Sequence, residues 1–202
     1  PELFHPDPAH LYGHAAGPLY DMGVYQVTAL MALFGPVVGV VAMASKAQDQ
    51  RIIKVGAHAG TRFPAKTATH FHAQLRHANG AISSLTVGFD GISPAPPYLH
   101  VFGREGGLAI DAVHMPSATV RHCTPSARDG IDIATPEWTD AMLAIGPTNA
   151  WSSFHSGQPI ETSAARARDT LAVLLAIDKA SSDRSFVEIK PGLAWREASY
   201  RN

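Results

Sequence analysis

The sequence predicts an α+β fold: a large, mostly antiparallel β-sheet with helices packed on one face, its other face available for oligomerisation. Three stretches carry that expectation. Residues 15–35 are apolar almost throughout and bounded by glycine–proline pairs, residues 69–90 alternate about Asn79 and Gly80, and residues 163–181 place apolar side chains at helical spacing. They belong to one expected domain spanning residues 1–202.

Taken in order, residues 1–16 form a loop rich in proline and histidine. His5, His10 and His14 invite a metal reading, but their spacing fits no zinc template, and Pro6 and Pro8 oppose a helix that would align them. No metal site is expected. Residues 15–35 follow as one helix. Pro18 stands in its first turn, where a missing N–H costs nothing, and Gly35 followed by Pro36 ends it. Leu19, Met22, Val24, Val27, Leu30, Met31, Leu33 and Phe34 lie nearly all round it, the pattern of a buried helix. Residues 37–45, rich in valine, predict a strand, residues 46–51 a polar break, and residues 52–55 the start of another strand, while residues 61–69 have no clear pattern.

The hairpin comes next. Phe71, Ala73 and Leu75 alternate with His70, His72, Gln74 and Arg76, and the Asn79 and Gly80 pair accepts the positive φ angles of a tight turn. Beyond it Ile82, Leu85 and Val87 are the apolar members, and their change of parity predicts a bulge. Residues 93–97 are a proline-rich connection, residues 98–102 a strand, and Gly103, Arg104, Glu105, Gly106 and Gly107 a turn into a strand at 108–111. This turn is no dinucleotide fingerprint, which needs G-x-G-x-x-G opening a helix. Residues 112–145 are weakly patterned, with short strands at 120–123 and 131–133 and a helical turn beginning at Trp138. Residues 151–155 predict a short helix and residues 163–181 a long one. Its apolar side is Ala164, Ala167, Leu171, Leu174, Leu175 and Ile177, with Arg166, Arg168, Asp169 and Asp178 turned away. A strand at 186–189 and a loosely held tail complete the chain.

Composition excludes several classes. Lys+Arg 16 against Asp+Glu 17 gives a net charge of −1 and no basic footprint for nucleic acid. The single cysteine, Cys123, leaves no internal disulfide and no cysteine metal cluster. Neither a signal-peptide pattern nor a membrane-spanning run is evident, so a cytoplasmic location and no membrane partner are expected. The chain opens at Pro1 without an initiator methionine, and a fragment or an excised domain is expected.

The first helix holds the best candidate for chemistry. Asp21, Tyr25 and Thr28 fall at i, i+4 and i+7, one polar stripe on an apolar helix. A carboxylate there needs a partner. The structural alternative is that Asp21 answers the helix dipole and Tyr25 is an amphipathic core residue.

The run Gly17, Pro18, Leu19, Tyr20, Asp21, Met22, Gly23, Val24, Tyr25, in the pattern G-P-L-x-D-x-G-x-Y, resembles the signature helix of the glucose–fructose oxidoreductase/inositol dehydrogenase (Gfo/Idh/MocA) family. The aromatic lead-in at Phe4 and His5, the hairpin, the Gly103–Gly106 turn and the final helix–strand pair follow in family order, so the resemblance covers essentially the whole chain. It implies the C-terminal, substrate-binding and oligomerising domain of an oxidoreductase that moves a hydride between NAD or NADP and a hydroxyl-bearing carbon of a sugar, cyclitol or related polyol. The dinucleotide would be bound mainly by a separate N-terminal Rossmann domain that also carries a lysine in a Glu-Lys-Pro motif. No such motif occurs here, and the chain alone is expected to be inactive and to bind no cofactor.

By the same resemblance, Asp21 and Tyr25 are catalytic, and His5 and Thr28 are substrate-binding. Much of the family has histidine where Tyr25 stands, and a final acidic residue where Thr28 stands. A phenol is a weaker base than an imidazole at neutral pH, which implies a proton donor or relay, with Asp21 orienting a substrate hydroxyl or the lysine. The expected partners are a small sugar or polyol and further copies of the chain through the sheet face. The alternative is a non-enzymatic oligomerisation or carbohydrate-binding module.

Overall fold

The computed structural model describes residues 1–91, 99–115, 117–135, 137 and 144–190. These fall into two compact units, one drawn from Pro1–Gly91 with Ala164–Asn202 and the other from Ile92–Ser163. The expected connection at 93–97, the helical turn at Trp138 and the tail beyond 190 lie outside the described residues.

The first unit is built on a four-stranded antiparallel sheet. Its strands are β1 (Val37–Ser45), β4 (His70–His77), β5 (Ile82–Gly88) and β10 (Val187–Glu188), in the order β10-β1-β4-β5. Alternation decides its two sides. Val40, Phe71, Ala73, Leu75, Ser83, Leu85 and Val87 are buried on one, while Val41, Met43, His72, Gln74, Ile82, Ser84 and Thr86 are exposed on the other. The helices α1 (Pro18–Asp21), α2 (Gly23–Phe34) and α4 (Ala164–Asp183) supply the packing for the buried side. A two-stranded pair, β2 (Gln50–Ile52) with β3 (Arg62–Pro64), stands apart, and β3 falls where the sequence shows no pattern.

The second unit is a four-stranded meander, β6 (Leu99–Phe102), β7 (Gly107–Ile110), β8 (Val120–Thr124) and β9 (Ala127–Ile133), with α3 (Ile145–Ser156). The α+β class and the antiparallel pairing are thus as expected. Among the described residues, hydrogen bonding divides the strands into three sheets.

Four local expectations about the main sheet and its helices change. The first helix is interrupted at Met22, where φ is −106°, and the Tyr25 N–H reaches back only three residues, to the Met22 carbonyl at 3.2 Å. Nor is it buried all round. Gly23, Val27, Leu30 and Met31 are buried, but Tyr25 and Leu33 are 46% and 47% exposed. An apolar composition overstated the burial because only one side of the helix meets the sheet and α4. Second, the hairpin closes with a three-residue loop. Gly80 alone takes positive φ (90°), and its N–H bonds the His77 carbonyl at 3.0 Å, while the Asn79 side chain accepts from the Ala81 N–H.

Third, the expected bulge after the turn is absent from the β4–β5 pairing, which runs in register from His70↔Gly88 to Arg76↔Ile82. Ile82 simply faces outward, 74% exposed, and Ser83 is buried in its stead. The reason is His77. Its buried ring donates Nδ1–H to the Gly35 carbonyl at 2.9 Å, so Nε2 is left to accept from Ser83 Oγ at 2.9 Å. Burial pushes the His77 pKa down, against the opposing pull of the Gly35 carbonyl. Fourth, α4 buries Asp169, Thr170, Val173, Leu174, Ala176, Ile177 and Ala180 and leaves Leu171 and Leu175 about half exposed, a face rotated from the expected one.

Candidate functional site

The helix start that carries the polar stripe is held by backbone geometry. Gly17 has φ 89°, and a Cβ there would stand 2.8 Å from Thr67 Cγ2 and 3.1 Å from the Ala68 carbonyl, so glycine is required both by conformation and by space. Pro18 follows in the first turn, and its carbonyl accepts from the Met22 N–H at 2.9 Å. Leu19 is fully buried, and the Tyr20 hydroxyl donates to Asp178 Oδ2 at 3.2 Å, tying α1 to α4. Burial, with Asp178 alongside, pushes the Tyr20 phenol up to about 12. Tyr20 escaped the sequence reading because nothing local marks its partner, 158 residues away.

With that anchor in place, Asp21, Tyr25 and Thr28 are all exposed, opposite the buried Leu19, Gly23, Val27 and Leu30. The structure therefore brings these three predicted residues to the solvent side of one α1–α2 segment, spaced about one helical turn apart. A carboxylate, a phenol and a hydroxyl on one open surface can orient a polyhydroxylated ligand and pass a proton.

His5 is placed differently. It is half-buried in the N-terminal segment, its Nδ1 accepts from the Asp7 N–H at 3.1 Å, and its ring meets that of His10 at 5.1 Å. The segment is no plain loop. It contains a short 3-10 helix, Ala9–Tyr12, and Tyr12 is wholly buried between Phe63 and Phe89, at ring distances of 5.4 and 5.3 Å.

A buried ionic cluster pins this segment. Arg51, 7% exposed, donates from Nε to Glu2 Oε1 at 2.7 Å and from Nη1 to Asp90 Oδ1 at 2.5 Å. Its guanidinium also lies over the Tyr12 ring, 5.1 Å from the centroid. Tyr12 Oη donates to Glu2 Oε2 at 2.6 Å, and Thr69 Oγ1 donates to Asp90 Oδ2. Burial opposes the charged form of Glu2, but hydrogen bonds from Tyr12, its own backbone and Arg51 outweigh it and hold the carboxyl at about 2. Burial, reinforced by Glu2, pushes the Tyr12 phenol well above its ordinary range. Sequence reasoning missed the whole cluster, since its members span residues 2 to 90 with no shared motif.

The Gly103–Gly107 stretch joins β6 to β7 as an antiparallel hairpin, with the Gly103 N–H bonding the Gly106 carbonyl at 2.8 Å, and opens no helix. It offers no pyrophosphate cradle. Among the described residues, no three or more His, Cys, Asp or Glu side chains gather as a metal-binding group, and no helix is long and apolar enough to cross a membrane.

A family model described as the GFO/IDH/MocA C-terminal domain matches residues 3–109, more than half of the chain. The chain belongs to the GFO/IDH/MocA family. Solved structures agree on the fold. Levoglucosan dehydrogenase in complex with NADH and L-sorbose superposes with a TM-score of 0.71 at 18% identity, over 93% of this chain and 56% of its own. Aldose-aldose oxidoreductase from Caulobacter crescentus, complexed with glycerol, gives 0.68 at 17% identity, over 91% and 52%. An oxidoreductase from Agrobacterium radiobacter in complex with NAD+, L-tartaric acid and magnesium gives 0.60 at 17% identity, over 83% and 48%. This GFO/IDH/MocA chain thus spans about half the length of the structures it resembles. No curated protein matches its sequence.

Proposed function

We propose that this chain is the substrate-facing domain of an NAD- or NADP-dependent oxidoreductase acting at a hydroxyl-bearing carbon of a sugar, cyclitol or related polyol. The observation that carries the reading is the open polar face of Asp21, Tyr25 and Thr28 on a segment whose opposite side is buried. The family relationship and the sugar and polyol ligands held by the similar structures support it.

The nicotinamide cofactor, when bound, donates or accepts the hydride. The residues described here do not fit its pyrophosphate, because the glycine-rich turn lies in a β-hairpin, so its binding is assigned mainly to a separate domain. What this chain does is hold the substrate and manage its proton. The Tyr25 phenol donates or relays the proton of the reacting hydroxyl. The Asp21 carboxylate accepts a hydrogen bond from a substrate hydroxyl and so sets its orientation, and Thr28 and His5 make further substrate contacts. By itself the chain is inactive and does not bind the cofactor. It assembles with copies of itself through the outer face of the four-stranded sheet, where Val41, Met43 and Ile82 are exposed.

Tyr25→Phe in the full-length protein is the test, because it deletes a hydroxyl and keeps the ring. Turnover should fall about 10²–10⁴-fold, with the thermal midpoint unchanged. Unchanged turnover in a stable variant would make the tyrosine structural and end the catalytic assignment.

A further inference from the structure

The outer face of β4 carries a pair of histidines that the reading above does not use. His70 and His72 are two residues apart on one strand and so point the same way. Their Nε2 atoms share a hydrogen bond of 2.9 Å, one ring donating and the other accepting, and the rings meet edge to face with centroids at 4.8 Å. Neither ring is held by this contact alone. Thr86, directly opposite on β5, places its Oγ1 2.9 Å from His72 Nδ1. His70 lies over Gly88, its own cross-strand partner, so closely that a Cβ there would fall 2.3 Å from His70 Nδ1. A hydroxyl on one side and a glycine seat on the other thus orient both imidazoles.

The spacing has a chemical meaning. Two imidazole nitrogens, each about 2.0–2.1 Å from one ion, stand about 2.9 Å apart at adjacent corners of a square or octahedron, and about 3.3–3.4 Å apart at tetrahedral corners. The observed separation matches the first. One Nε2 carries the proton of the bond between the rings, so ligation requires that ring to shift its proton to Nδ1, leaving both rings as Nδ1–H tautomers with both Nε2 lone pairs on the ion. A threonine hydroxyl can accept from Nδ1–H as readily as it can donate, so Thr86 supports the tautomer that bares His72 Nε2. Arg76, the cation on the same strand face, is drawn to the Phe186 ring, 5.3 Å from its centroid. The remaining coordination positions open onto the outer sheet face, where Met43 lies opposite His72; that is the face proposed above for assembly, so ion binding competes with it.

We propose that His70 and His72 form a bidentate chelate for a divalent transition ion of square-planar or tetragonal preference, the copper(II) and nickel(II) class, with Thr86 as a positioning residue. The site is formed by one chain and uses neither Asp21 nor Tyr25.

The test titrates the purified chain with Cu2+ and, separately, Ni2+ and Zn2+, following heat and the nitrogen hyperfine lines of the copper spectrum. One high-affinity Cu2+ per chain is expected, with two imidazole nitrogens and a weaker response to Zn2+. His72→Gln or His70→Gln should abolish that class of site, and Thr86→Val should weaken it about 10–100-fold with circular dichroism unchanged. On the wild-type chain, substoichiometric Ni2+ should broaden the proton signals of His70 and His72 before those of the other histidines, a reading that depends on no variant. Equal copper uptake by wild type and His72→Gln, broadening that begins at another histidine, or one ion per two chains would each overturn the single-chain chelate.

Discussion

Replacing Arg51 by methionine removes a guanidinium that two carboxylates share while keeping most of the volume of the side chain. In the native chain Arg51 is 7% exposed and bonds Glu2 and Asp90 at 2.7 and 2.5 Å. Breaking a buried ion pair from one side costs about 3–5 kcal/mol, because the charges left behind have lost their water and gained nothing. Glu2 and Asp90 retain 13% and 17% of their side-chain surface, so solvent can relieve part of that burden and the lower end, about 3 kcal/mol, is expected. With a urea slope of about 2 kcal/mol/M, the midpoint should move by about 1.5 M. Arg51→Lys keeps the charge but not the fork that reaches both acids, and should lose about 1–2 kcal/mol.

The acid arm of the same experiment follows from Glu2. Its carboxyl is held at about 2 in the fold against an ordinary 4.5, so the unfolded chain binds the proton first as the pH falls. The stability Glu2 contributes is therefore complete above pH 4.5 and drains away as the pH drops from 4.5 towards 2. Without Arg51 the carboxyl loses the hydrogen bond and the positive charge of the guanidinium that help to hold it down, and the gap between wild type and Arg51→Met should close over that interval. Urea midpoints at pH 7 and at pH 3 measure both effects. A shift under about 0.5 M at pH 7, or a gap equally wide at pH 3, would refute the claim that the cluster fastens the N-terminal segment.

Two further outcomes test the packing and the assembly. Leu30→Ala, at a position 4% exposed on the buried side of α2, should cost about 2–5 kcal/mol in denaturant titration, and a loss below about 1 kcal/mol would show that the helix side facing α4 is not the core it is described to be. Light scattering should find copies associated through the outer sheet face over roughly 1,200 Å² or more. Only monomer at high concentration, or association untouched by Met43→Lys with Ile82→Lys, would remove that face as the contact.

Local chemistry alone determined much of this protein. Gly17 and Pro18 start a helix, Gly35 ends it, valines make β1, and alternation from Phe71 to Leu75 sides β4 correctly, since each depends on residues within a few positions of one another. The stripe of Asp21, Tyr25 and Thr28 was legible for the same reason. What the sequence could not decide is which side of an element meets a neighbour. Residues 15–35 read as buried all round, yet Tyr25 faces out, because the partner surfaces of the sheet and α4 cover only one side. Ser83 is inside and Ile82 outside because His77, capped by Gly35 and already buried, needs a hydrogen-bond donor more than the core needs a methyl group. The Glu2–Tyr12–Arg51–Asp90 cluster and the Tyr20–Asp178 tie join positions up to 158 residues apart, where no spacing rule reaches. Charge pairing across such distances exists only once the chain has folded, and so tertiary structure alone decided how the N-terminal segment and the start of the first helix are held.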